Sequence, residues 1–271
     1  MKQRVKKRRK VDPVRGWVSR LNRYRPGLMY DTLAALRTMY GTPEWQRVHD
    51  PTSELILTIL SANSADINAE KAFDLLCRRW PSPTGHGGVT SGAVYRPGWG
   101  GMGIAEARAD WSAVADAALD ELIDVIRPGG LAPTKAPRIQ GVLRHIFEER
   151  GDYSLEFLGQ MTPQEALAWL VSIPGIGRKT ASVVLLFAFG MPLMPVDRHV
   201  ERVSLRIGLI PPRKTAEQAH DYLQALLTDE QVHEAHVNLI THGRQICHAQ
   251  RPEHDRCAVA FRCRFIDPKA P

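Results

Sequence analysis

Apolar residues in this chain return at intervals of three and four, and they almost nowhere alternate with polar ones. A chain patterned this way buries stripes of helix, not faces of sheet. Ile139, Val142, Leu143, Ile146 and Phe147 share one helical face, as do Ala219, Tyr222, Leu223, Leu226 and Leu227. The same spacing predicts helices over residues 28–40, 53–60, 67–80, 111–126, 162–171 and 178–189. Boundary signals agree: Thr162-Pro163-Gln164-Glu165 has the form of a capping box with Pro at the first helical position, and Gly190 followed by Pro192 closes a helix. The expected fold class is all-α, with the apolar stripes forming core.

A chain of 271 residues with 44% hydrophobic content can bury one large core or two modest ones. No apolar run reaches the roughly 20 residues a membrane span requires. The first ten residues carry seven Lys or Arg and no apolar stretch, so they do not read as a secretory signal. An intracellular protein of the cytoplasm or nucleoid is expected, with no membrane contact. Removing those seven charges from the 36 basic residues leaves 29, against 29 acidic ones, so the net charge of +7 lies in the tail. Residues 1–20 therefore read as a basic flexible arm that either adds sequence-independent phosphate attraction or merely aids solubility. Residues 81–110 form a candidate insertion, with eight glycines between positions 85 and 103 and Tyr95, Arg96 and Trp99 among them, and read as a long mobile loop.

Cys247, Cys257 and Cys263 crowd into the C-terminal region, and three thiols cannot pair completely, which raises the question of a metal. Cys77 stands alone in a helical stretch and reads as a small buried hydrophobe.

The most informative segment runs Leu170-Val-Ser-Ile-Pro-Gly-Ile-Gly-Arg-Lys-Thr-Ala-Ser-Val-Val-Leu-Leu186. Two helices are joined there by a turn bearing Pro174, Gly175 and Gly177. Such a turn exposes amides, its glycines let backbone approach a phosphate, and the helix it opens adds a positive dipole end. Arg178 is a candidate for a charge-assisted phosphate contact. Lys179 follows in the first turn of an otherwise apolar helix, where desolvation and the dipole both favour the neutral amine that a nucleophile needs. Taken alone, this lysine fits a phosphate-binding role with no covalent chemistry better.

The hairpin is followed by Phe189-Gly-Met-Pro192 and by Pro195-Val-Asp-Arg-His-Val-Glu-Arg-Val203. Together these resemble the helix-hairpin-helix DNA glycosylases whose Gly/Pro-rich loop ends in Asp, and within them the endonuclease III group, from about residue 28 to residue 263. The resemblance implies that Lys179 is the nucleophile attacking the sugar carbon that bears a damaged base. It also implies that Asp197, 18 residues on, is the carboxylate that activates the lysine and offsets charge on the sugar. The resulting imine acidifies the neighbouring sugar hydrogen, and β-elimination cuts the strand. Base flipping needs a side chain to fill the gap. By resemblance, Asn63 in Leu60-Ser-Ala-Asn-Ser-Ala-Asp66 and Leu131 in Gly129-Gly-Leu-Ala-Pro-Thr-Lys-Ala136 take that role, with Lys135 as a phosphate contact. Asn63 stands where the family often has the longer Gln.

Many relatives in this group end in four cysteines that hold a [4Fe-4S] cluster. The same register here reads Cys247-x6-His254-x2-Cys257-x5-Cys263, with His in the second position, so the resemblance implies a cluster held by three Cys and one His. Zinc is the alternative for such a set, and His248 or Asp255 are alternative fourth ligands. Arg251, Arg256, Arg262 and Arg264 would suit DNA contact beside the ligand loop.

The expected architecture is a central helical domain over residues 50–194 and a second helical domain built from residues 21–49 and 195–271. DNA would lie across the cleft between them. The expected function is base excision repair: a monomeric DNA glycosylase/AP lyase that acts on double-stranded DNA holding a damaged base or abasic site, with oxidised pyrimidines as substrate. A monofunctional uracil or T/G-mismatch glycosylase and a non-catalytic helix-hairpin-helix DNA-binding protein are the alternatives.

Overall fold

A computed structural model of the protein describes residues 12–83 and 108–270, together with the backbone of two short strands in the intervening stretch. The remaining glycine-rich insertion and residues 1–11 of the basic arm lie outside the described residues. The architecture is all-α, apart from a two-residue antiparallel pairing of Val94–Tyr95 with Met102–Gly103.

The helices run α1 Pro13–Tyr24, α2 Leu28–Tyr40, α3 Pro51–Ser61, α4 Asp66–Arg79, α5 Trp111–Asp116, α6 Leu119–Ile126, α7 Ala132–Arg150, α8 Pro163–Ser172, α9 Arg178–Phe189, α10 Arg198–Ile207, α11 Ala216–Gln224 and α12 Gln231–Gln245. Local chemistry sets many of their starts. Asp50 accepts from the amides of Thr52 and Ser53 at the head of α3, and Thr162 and Thr215 form full capping boxes at α8 and α11.

Three expectations change. The segment 111–126 is two helices, because Ala117 and Ala118 adopt extended backbone between α5 and α6. The basic arm ends earlier than residue 20. Asp12 caps a helix beginning at Pro13, and Trp17 anchors it by donating Nε1–H to the Leu209 carbonyl at 2.7 Å. Helices α10 and α12 were not anticipated from periodicity.

Two hydrophobic clusters organise the described residues. One gathers Leu55, Leu60, Leu76, Leu122, Ile139, Leu143 and Leu170 from α3 to α8. The other gathers Leu28, Leu36, Val200, Val203, Leu223, Val232 and Leu239 from α2 and α10 to α12. Helix α9 serves both, burying Ala181, Val184 and Leu185 in the first and Val183, Leu186 and Phe187 in the second. Its nearly all-apolar sequence follows from this position: a helix between two cores has no solvent stripe over most of its length. Its exposed end is its N-terminus, where the hairpin and Lys179 lie.

Candidate active site

At the mouth between the two clusters is a cavity of about 570 Å³, within the range of small-ligand sites. Lys179 and Asp197, assigned from separate motifs, both line it. Asp197 is the N-cap of α10, and its Oδ1 accepts from the amides of His199 and Val200, each at 2.8 Å. This fixes the carboxylate and leaves Oδ2 without a protein hydrogen bond among the described residues. Lys179 is half-buried in the first turn of α9. Burial pushes its amine below the ordinary lysine range, while Asp197, the leading opposing influence, favours the charged form. Desolvation wins, so the amine is poised toward neutrality beside a fixed carboxylate.

The hairpin turn lies next to this cavity. Gly175 has φ +92°, a left-handed conformation that favours glycine, and an added Cβ would come within 3.1 Å of Arg138 Nε. At Gly177, by contrast, a Cβ would meet nothing within 4 Å, so the space beside it is open. No side chain caps α9, which leaves its first-turn amides available to an outside acceptor. Pro174, Gly175 and Gly177 are all exposed.

The two wedge candidates share an unusual backbone. Asn63 and Leu131 have φ of +54° and +53°, two of the three non-glycine residues with positive φ among those described. Leu131 is 55% exposed, a large apolar side chain held out from the surface ahead of α7. Asn63 lines the cavity and accepts through Oδ1 from Arg198 Nη2, a bond between the α3–α4 loop and α10.

Other expectations are corrected. Lys135 is 3% exposed, and its Nζ donates to the carbonyls of Leu60 and Gly129 at 2.5 and 2.8 Å. It is a buried tie beneath the two wedge loops, not a phosphate contact. Arg178 is engaged by α11, with Nη2 2.7 Å from Asp221 Oδ1 and Nη1 3.7 Å from Glu217 Oε2. Arg262 is buried, donates to the Pro26 carbonyl at 2.7 Å and pairs with Asp31 at 3.0 Å, so it fastens the C-terminal loop to the α1–α2 junction.

The third wall of the cavity is α12, which contributes His236, Ile240 and Arg244. His236 is buried, its Nδ1 lies 3.0 Å from the Pro195 carbonyl, and burial lowers its pKa to about 4. Arg244 Nη1 lies 2.5 Å from Asp66 Oδ2, joining α12 to the start of α4. Sequence reasoning missed these residues. The faint signal was Val232, Ala235, Leu239 and Gly243 at helical spacing, masked by His and Asn between them.

In the C-terminal loop, Cys247 Sγ accepts from Arg206 Nη1 at 3.3 Å and Cys263 Sγ lies 3.4 Å from the Arg206 carbonyl. Cys257 Sγ faces His242 Nε2 at 3.4 Å. Burial raises the Cys257 thiol, and Cys263 and Cys247 add to that effect. His254 is exposed, with its ring edge-on to Phe265. No group of three or more His, Cys, Asp or Glu among the described residues is arranged to hold a metal. No helix among them is long and apolar enough to cross a membrane.

A helical fold divided by a cleft, with a glycine-rich hairpin beside a depressed lysine and a fixed carboxylate, defines a DNA-repair class of protein. The family model for HhH-GPD superfamily base excision DNA repair proteins matches residues 56–228, more than half of the chain. Endonuclease III of Thermotoga maritima is 29% identical over 223 residues, covering 82% of this chain and 87% of that protein. Endonuclease III of Bacillus subtilis is 30% identical over 227 residues, covering 83% and 87%. A solved trapped endonuclease III–DNA covalent intermediate superposes with a TM-score of 0.66 at 27% identity, over 90% of this chain and 97% of that one. The chain belongs to the HhH-GPD superfamily of base excision DNA repair proteins, in its endonuclease III group, and is a DNA glycosylase/AP lyase.

Proposed function

We propose that this protein removes oxidised pyrimidines from double-stranded DNA and then cleaves the strand, with Lys179 as nucleophile. The observation that carries the proposal is the meeting of a desolvated amine and a doubly hydrogen-bonded carboxylate at one cavity. Lys179 Nζ attacks C1′ of a flipped nucleotide, and the base departs with the C1′–N bond electrons. Asp197 offsets the positive charge that develops on the sugar. Loss of a proton from nitrogen and opening of the sugar ring give an imine between Lys179 and C1′. That imine draws electrons from the C2′–H bond, and β-elimination expels the 3′ phosphate oxygen.

DNA binding follows from the uncapped amides of α9 and the open space beside Gly177, which suit a backbone phosphate. Asn63 and Leu131 act as the wedges. Their left-handed backbone is supported because the Lys135 amine bonds the carbonyls of Leu60 and Gly129, three and two residues before them. The Asn63–Arg198 bond must open for Asn63 to enter a duplex.

The C-terminal loop is proposed to hold a [4Fe-4S] cluster through Cys247, Cys257 and Cys263, with His254 as the fourth ligand. Burial, with Cys263 and Cys247 close by, disfavours the thiolate of Cys257, a condition that a bound cation relieves. Such a group would fix the loop's conformation. Iron and sulfide in a brown protein check this assignment, and stoichiometric zinc in a colourless one overturns it.

Borohydride trapping on abasic-site duplex tests the central reading. A covalent adduct with the native protein and none with Lys179→Gln is expected. An adduct that survives in Lys179→Gln would sink it.

A further inference from the structure

Helix α12 presents His236, Ile240 and Arg244 to the cavity at intervals of four, so the three side chains form one stripe facing Lys179 and Asp197. This stripe has a definite donor and acceptor order. The Pro195 carbonyl can only accept, so the 3.0 Å contact assigns the ring hydrogen of His236 to Nδ1. In a neutral imidazole Nε2 then carries a lone pair and accepts. It has no hydrogen-bond partner among the described residues, although His236 is 2% exposed. Ile240 is apolar, and Arg244 offers only donors, one of its nitrogens being held by Asp66.

Resting on the glycosylase reading above, we infer that the α12 stripe reads the Watson–Crick edge of the flipped base and selects pyrimidines with an imide edge over those with a cytosine edge. An imide pyrimidine presents N3–H as donor between two carbonyl acceptors. His236 Nε2 accepts N3–H, and Arg244 donates to the C4 carbonyl. A cytosine edge inverts both partners: its N3 is a lone pair facing another lone pair, and its exocyclic amine faces a guanidinium. The two side chains are eight residues apart, a rise of about 12 Å, which a pyrimidine, an imidazole and the long arginine arm together span. Ile240, between them, supplies apolar contact to the ring.

Asp66 is a positioning residue in this scheme. Its carboxylate oxygen lies 2.5 Å from Arg244 Nη1 as an ion pair that fixes the guanidinium's position, while Nη1 makes no hydrogen bond of good geometry and its N–H groups stay available to the base.

Single-turnover excision by the full-length protein, with duplexes holding one modified base, tests the inference. 5-Hydroxyuracil and 5-hydroxycytosine differ at the edge that α12 would read, and N3-methyl-5-hydroxyuracil keeps both carbonyls but replaces the donor with a methyl group. 5-Hydroxyuracil should be excised at least about tenfold faster than either, the cost of one buried group left unpaired. Arg244→Gln should compress the 5-hydroxyuracil to 5-hydroxycytosine ratio toward one. Equal rates, within about twofold, for 5-hydroxyuracil and 5-hydroxycytosine or for the methylated base overturn the selectivity. So does failure to excise any of the three by a protein that still traps on abasic-site DNA. Absence of trapping is the separate result that defeats the lyase reading on which this one rests.

Discussion

Lys135 and Lys179 both stand in the opening turn of a helix, and burial lowers the proton affinity of each, yet their surroundings are opposite. The amine of Lys135 is enclosed and donates to the Leu60 and Gly129 carbonyls in the seam between the wedge loops. The amine of Lys179 opens on a cavity that it shares with a carboxylate, one oxygen of which is already committed to amides. A desolvated lysine is therefore not by itself a sign of catalysis. What separates the two is whether the amine's hydrogen-bonding capacity is used up by the fold or left facing space where a substrate fits.

Substitutions at the two lysines should part cleanly. Lys179→Gln is expected to lower strand cleavage by on the order of 10³-fold or more while leaving thermal stability unchanged or slightly raised, because a costly burial is removed. A variant that unfolds would place Lys179 in the same structural role as Lys135. Asp197→Asn keeps an N-capping side chain, so it should fold normally and lose roughly 10²- to 10⁴-fold in excision. Lys135→Met, in contrast, should trap normally at low temperature. Its loss is expected in stability, roughly 2 kcal/mol in denaturant unfolding, as the Leu60 and Gly129 carbonyls lose their donor.

A smaller effect separates the walls of the cavity by pH. His236 has its pKa lowered from 6.5 to about 4 by burial, so its contribution to stability is complete above pH 6.5 and is lost as the pH falls toward 4. A shift of that size corresponds to on the order of 3 kcal/mol. His236→Gln, which keeps a donor for Pro195, should flatten the stability profile across that window, and an unchanged profile counts against a buried neutral imidazole. Smallest of all, Arg178→Ala should change stability by less than about 1 kcal/mol, since its pairs with Asp221 and Glu217 are solvent-accessible. The salt dependence of DNA affinity should also stay the same, whereas a reduced slope would restore Arg178 as a phosphate contact.

Much of the site was legible in the sequence because its parts are local. The bounds of α2 and α9 coincide with the periodic segments 28–40 and 178–189, and the hairpin is a run of turn chemistry between two apolar stripes. Leu131 was singled out by the resemblance of the 129–136 loop to a family loop; taken alone it reads as an ordinary turn residue. Its left-handed backbone and exposure fit a residue held for a purpose other than core packing. Lys135 and Arg262 turned out to be ties within the fold for one reason: a basic residue near a binding loop has the same one-letter signature whether its charge faces solvent or a buried carbonyl.

Helix α12 shows the limit most clearly. It buries Glu234, His236, Asn238, Thr241 and His242, polar residues that periodicity assigns to solvent, because partners distant in the chain satisfy several of them: Arg37 for Glu234, Pro195 for His236, Gly41 for Asn238 and Tyr40 for His242. The sequence by itself determined the helical class and the hairpin, since those depend on residue spacing and on chemistry carried by a few neighbours, and its resemblance to a known family singled out the lysine and aspartate as a pair. Only the tertiary structure decided which charged groups are spent on the fold, and that a polar helix from the far end of the chain closes the cavity. Burial and hydrogen-bond satisfaction are properties of the assembled chain, and no local pattern encodes them.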